Sequence, residues 1–127
     1  MYRLKELEAE IKKVAASKEL LHLTAANIAV LYNPNSKSRA VARVWGLGKV
    51  FQITLGLPPT YVIELLAAFK RLSCEEKLKA VAHELAHIPH TASGALRPHN
   101  KTFWRDYRRY TKLFKCSDFP SLQDFRY

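Results

Sequence analysis

Sulfur and glycine are scarce in this chain: 127 residues contain two cysteines, one methionine and four glycines. Cys74 and Cys116 form no CxxC pair, which excludes a zinc ribbon and a thioredoxin-type redox motif. Two free thiols in a reducing cytosol are expected. The low glycine and proline content excludes collagen-like and low-complexity chains. No apolar run is long enough for a bilayer. The longest uncharged stretch, Leu20 to Ser36, is broken by His22, Asn27, Asn33 and Pro34, so no membrane association is expected. The opening residues, MYRLKELEAEIKK, lack the apolar core of a signal peptide. A soluble, cytoplasmic protein with a single domain over residues 1–127 is the expectation.

Acidic residues are also few, 11 against 21 Lys and Arg, for a net charge of +10. The excess is uneven: residues 97–127 hold 8 basic and 3 acidic side chains, whereas 73–96 hold 2 and 3. A basic face suggests nucleic acid or another polyanion as a partner, beside the plainer reading of a solvated surface.

In residues 3–16, Leu4, Leu7, Ile11, Val14 and Ala15 form one helical stripe, and the helix is expected to run on through Leu20 and Leu21. Three strand-like runs follow: Asn27–Tyr32, Arg39–Trp45 and Val50–Leu55. The turn-rich Asn33–Ser38 suits a hairpin loop, and Gly46 and Gly48 punctuate the second gap. A small three-stranded antiparallel sheet is therefore predicted. After Pro58-Pro59, Thr60 is placed to cap a helix over Tyr61–Leu72. Ser73 with Glu76 forms a second capping box, opening a helix that ends near His87 or Ile88 because Pro89 cannot lie inside it. A last helix is expected from His99 or Asn100 to Phe114. The order is α-β-β-β-α-α-α, an α+β domain.

The third of these helices carries His83-Glu84-Leu85-Ala86-His87. Positions i and i+4 share a helix face, so both imidazoles can meet one zinc ion. The glutamate between them then stands beside the metal, placed to take a proton from water. Such a site uses a third protein ligand and keeps one position open. The candidates are His99, His90, His22 and the remaining carboxylates. A metzincin would need histidine at position 93, where Ser93 stands, so that pattern is excluded. His99 is favoured, because the loop before it is long enough to fold the next helix back across the first.

HELAH followed by His99-Asn100-Lys101-Thr102-Phe103-Trp104 resembles the SprT-like zinc metallopeptidases and their minigluzincin relatives. In those families a histidine with Phe-Trp four and five residues later follows the HExxH helix. The match implies His99 as third zinc ligand, one zinc per chain and a zincin-like fold. The stretch VARVWGLGKVFQITLGLPPTYVIELL, with HELAHIP and GALRPH, is similar to an archaeal and phage metallopeptidase family. That likeness spans the middle half of the chain, Arg39 to His99. Two departures stand out: there is no C-terminal zinc ribbon, and no glutamate at the spacing of larger gluzincins. Asp106 or Asp118 is the fallback ligand.

By analogy with zincins, an edge strand at Lys49–Leu55, with Val50, Gln52 and Thr54 on one face, is the candidate substrate-binding strand. His90, Tyr107, Tyr110 and Arg97 are candidate oxyanion donors. Arg105, Arg108, Arg109 and Lys112 fall on one side of the last helix as a basic stripe able to follow a phosphate backbone. The expected activity is zinc-dependent hydrolysis of a peptide or protein substrate with Glu84 as general base, latent if an activator is needed. The alternative is a zinc-stabilised nucleic-acid-binding module without hydrolysis.

Overall fold

The computed structural model describes all 127 residues. Strand β1 (Tyr2–Arg3) is followed by α1 (Lys5–Ser17), α2 (Leu21–Ala25) and β2 (Asn27–Asn33). Then come β3 (Ala42–Gly46), α3 (Lys49–Leu55) and β4 (Thr60–Leu66). After a 3-10 turn, α4 (Cys74–Ala86), α5 (Lys101–Leu113) and the short α6 (Pro120–Gln123) complete the chain.

The architecture is α+β, but the sheet is four-stranded and mixed, in the order β1-β2-β4-β3. β2 and β4 run parallel, while β1 and β3 are antiparallel to their neighbours. This corrects the three-stranded antiparallel sheet. The Asn33–Ser38 turn does not close a hairpin, because β4 lies between β2 and β3. Parallel neighbours need a crossover, and β3 with α3 forms part of it.

Two assignments exchange places. Val50–Leu55, expected as a strand, lies in helix α3, which starts after Gly48 and ends at Gly56 in the left-handed conformation (φ 65°). Only Gln52 of this helix is buried, and its side-chain amide donates to the carbonyls of Leu47 and Ser93. Tyr61–Leu72, expected as a helix, is instead strand β4 and the 3-10 turn. The run Tyr-Val-Ile-Glu-Leu-Leu is apolar with one break, a pattern that helix and buried strand share. Central sheet burial decides it. Likewise α1 stops at Ser17, and Glu19 (φ 57°) turns the chain so that Leu20 reaches the core.

One face of the sheet is the core side. Val30 and Tyr32 of β2 and Tyr61, Ile63 and Leu65 of β4 pack with Leu7, Ile11 and Val14 of α1. Val81 and Leu85 of α4, with Phe103 and Tyr110 of α5, fill the same core. The other face carries Glu64, which accepts from Arg43 Nε (2.8 Å), Trp45 Nε1 (2.9 Å) and Asn33 Nδ2 (3.0 Å). The Arg43 hydrogen bond leads in holding the Glu64 carboxyl down to about 2, with Asn33 and Trp45 helping against the effect of burial.

Cys74 and Cys116 form a disulfide, with Cα atoms 6.2 Å apart. This corrects the expectation of free thiols. The bridge ties the first residue of α4 to the turn after α5, and the loop it closes holds both helices. Closing a loop of this length stabilises a fold by about 4 kcal/mol in the chain-entropy description. No helix is long and apolar enough to cross a membrane.

Candidate metal centre

Helix α4 starts from Ser73, whose hydroxyl accepts from Glu76 N–H (3.2 Å) while the Glu76 carboxylate accepts from Ser73 N–H (3.0 Å). Leu78, Val81, Ala82, Leu85 and Ala86 are buried along it. That packing sets the rotation of the helix and turns His83 and His87 away from the core. Their ring centroids are 5.2 Å apart. His87 is the C-cap, still right-handed at φ −71°, and Pro89 prevents continuation.

The loop that follows is fastened to the sheet. Gly94, at φ 103°, donates its N–H to the Tyr61 hydroxyl (2.8 Å), which donates to the Ala95 carbonyl (2.9 Å). A side chain at Gly94 would overlap the Leu47 carbonyl. Arg97 then pairs with His87 in both directions. Its N–H donates to the His87 carbonyl (2.8 Å), and its carbonyl accepts from His87 Nδ1 (2.8 Å). His99 follows two residues later, just before Asn100, whose side chain caps α5 by accepting from Phe103 N–H (2.9 Å). His99 therefore precedes the helix rather than beginning it.

His83, His87 and His99 come together, each offering a ring nitrogen within 4.8 Å of the others. His87 Nε2 and His99 Nε2 are 3.2 Å apart. The His87 tautomer follows from its partner: a carbonyl at Nδ1 requires the proton there, so Nε2 of the neutral ring presents a lone pair to His99. Burial holds the His87 imidazole below its ordinary pKa, which favours the neutral, ligating form. Glu84 is buried, and its carboxylate accepts from His83 Nδ1 (3.2 Å). Beneath the three rings lies Phe103, fully buried, with centroids 5.0, 4.6 and 4.7 Å from His83, His87 and His99.

The donor set fits a zinc ion. Two nitrogens bound at tetrahedral angles with ordinary zinc–nitrogen lengths stand about 3.3 Å apart, close to the 3.2 Å separation of the two Nε2 atoms. The family comparison agrees with this chemistry. A family described as "putative phage metallopeptidase" matches residues 1–124. The chain belongs to this family. As a metallopeptidase-family member it is expected to use a metal, and the match reaches well beyond the middle half of the chain. No curated protein and no solved structure matches it.

Of the other residues singled out in this metallopeptidase-family chain, His90, His22 and Asp106 form a second cluster. His90 Nε2 bonds Asp106 Oδ2 (2.7 Å), and its ring stacks on His22 at 4.1 Å and 15°. Nitrogens of His22, His90 and Asp106 oxygen also gather within 4.8 Å. His22 Nε2 is already taken by the Tyr110 hydroxyl (3.0 Å), and Arg97 already holds Asp106 (2.5 Å). His22 is pushed down to about 4, first by burial and then by the charge of His90. Asp118 accepts from the N–H of Lys115 (3.2 Å) in the turn after α5.

Of the four candidate oxyanion donors, three have other partners. Tyr110 bonds His22 Nε2 (3.0 Å), and burial raises its pKa. Arg97 and His90 hold Asp106. Tyr107 alone lines a cleft, which it shares with Val41, Ala42, Ala80, His83 and Glu84. One wall of this cleft is Ala40–Ala42, the segment that leads into β3, an edge strand of the sheet. The edge strand beside Glu84 is thus β3, and Lys49–Leu55 is a helix instead. Arg105, Arg108, Arg109 and Lys112 are all exposed along α5.

The sequence reading missed the paired roles of Arg97 and Asp106. A lone aspartate in a basic helix carries no pattern, and only the fold shows it to be 1% exposed.

Proposed function

We propose that this chain is a zinc-dependent peptidase in which His83, His87 and His99 hold the metal and Glu84 is the general base. One observation carries the reading: three imidazoles converge beside a buried glutamate in a metallopeptidase-family chain. Zinc held there supplies Lewis acidity, polarising a carbonyl and acidifying water. Glu84 takes the proton of the attacking water and returns it to the leaving amine as the C–N bond breaks. The free edge of β3 lays the substrate out as an added strand, its carbonyls and amides pairing with those of Ala42–Gly46. In this reading Tyr107, which lines the cleft beside His83 and Glu84, donates to the oxyanion. The SprT-like and minigluzincin likeness supports the same assignment of His99.

A second reading, nucleic-acid binding, is favoured by the exposed cations of α5. It is compatible with a zinc site and needs no hydrolysis.

The expected result is hydrolysis of a dye-labelled unfolded protein such as casein, lost on dialysis against EDTA and recovered with added zinc. Activity that survives complete metal removal contradicts the reading.

A further inference from the structure

Asp106 carries a buried charge that the proposed hydrolysis does not use. Its Oδ2 accepts from Arg97 Nη2 (2.5 Å) and from His90 Nε2 (2.7 Å). Burial opposes the Asp106 carboxylate, but these two donors outweigh it and keep its pKa low. Arg97 is itself largely enclosed, with 9% of its side chain exposed. Its Nε donates to the carbonyl of Ala86 (2.7 Å), one of the last carbonyls of α4, which lack partners within the helix. A cation at that end also complements the helix dipole. Through its backbone, Arg97 pairs twice with His87.

One ion pair therefore joins α5, the loop and the end of α4. It determines where the Arg97 carbonyl stands, and so which His87 nitrogen carries the proton. It also anchors the chain two residues before His99. Outer partners of this kind orient a ligating imidazole and select its tautomer. We propose that Asp106 is a positioning residue for the metal centre, acting through Arg97 on His87 and His99. The proposal rests on the reading that these histidines bind zinc. His90, stacked on His22, completes the cage that aims the Asp106 carboxylate at Arg97.

The physical consequence is local and specific. Without the carboxylate, the Arg97 fork loses one of its two anchors and the His87 Nδ1 acceptor is free to shift. The Nε2 atoms of His87 and His99 then no longer hold their 3.2 Å separation. A purely structural ion pair would alter folding without altering the tautomer of a distant ring.

The test uses the full chain, with Asp106→Asn and Arg97→Lys, each checked for folding by near-ultraviolet circular dichroism. Zinc affinity is measured by competition with a fluorescent chelator. Ring-nitrogen NMR of the zinc-free protein reads the His87 tautomer. Both variants are expected to bind zinc about 10- to 100-fold more weakly than wild type. They are also expected to lose the single Nδ1–H signal of His87. Folded variants with wild-type affinity and an unchanged tautomer overturn the proposal while leaving the zinc site intact. A wild-type chain without zinc affinity overturns the metal reading itself, and this proposal with it. Should Asp106→Asn not fold, Arg97→Lys decides the affinity. The wild-type tautomer decides independently, because an Nε2–H form of His87 contradicts the proposal with no variant at all.

Discussion

Glu84→Gln is expected to lower peptide hydrolysis by about 100- to 10,000-fold, the usual contribution of a positioned general base. Bound zinc should stay at the wild-type level, because Glu84 is not among the converging ring nitrogens. The amide keeps the volume of the carboxylate and can still accept from His83 Nδ1 through its oxygen. What it loses is the ability to take a proton from water. Since transition-state chemistry is removed and ground-state contacts are kept, the loss should appear in kcat with little change in KM. The nucleic-acid-binding reading predicts the opposite, full function after the substitution. Steady-state kinetics on a fluorogenic peptide, with metal content determined on the same preparations, separates the two.

Phe103→Ala should carry the largest stability cost of any single change near the centre. The ring is fully buried in α5 and lies within 5.0 Å of each of the three imidazole centroids. Removing an aromatic ring from a packed core costs about 3–5 kcal/mol, part transfer and part cavity. Here the cavity would open beneath His83, His87 and His99. The rings would gain freedom that zinc binding must then remove. Urea unfolding of the zinc-free protein should report the loss as a lower midpoint with an unchanged slope. Phe103→Leu, which refills most of the space, should cost less. A midpoint unaltered by Phe103→Ala would mean that the ring is not a packed floor of the site.

Much of the centre was legible because its signals are local. Histidines four apart share a helix face whatever surrounds the helix. Ser73 with Glu76 and Asn100 with Phe103 mark helix starts through hydrogen bonds made within three residues. The sheet was less legible because strand pairing is not local. Val50–Leu55 has strong strand propensity, yet no neighbour is available to pair with it. Gly48 and Gly56 delimit it, and Gln52 anchors it to Leu47 and Ser93. Tyr61–Leu66 becomes the strand because it fits between β2 and β3, a position that exists only once the sheet has formed. β1 is two residues long and has no pattern to read. The Cys74–Cys116 bridge joins positions 42 apart, a pairing that depends on α4 and α5 packing together.

Those long-range features also explain why the site holds its shape. The disulfide closes a loop that contains His83, Glu84, His87, His99 and Asp106. Within that loop, Tyr61 and Gln52 fasten the segment around Gly94 to the sheet and to α3. The proposed ligand that sequence spacing constrains least, His99, is thus held from three sides: by Asn100 at the cap, by Phe103 below and by Arg97 before it. The proposed three-histidine centre requires it as the third donor.

Zinc per chain, measured by elemental mass spectrometry on wild type beside His99→Ala, tests that claim most directly. One zinc per wild-type chain and a marked loss in the variant are expected, with both proteins folded. Wild-type protein that retains no zinc after reconstitution, or a variant that retains it fully, would contradict a three-histidine centre.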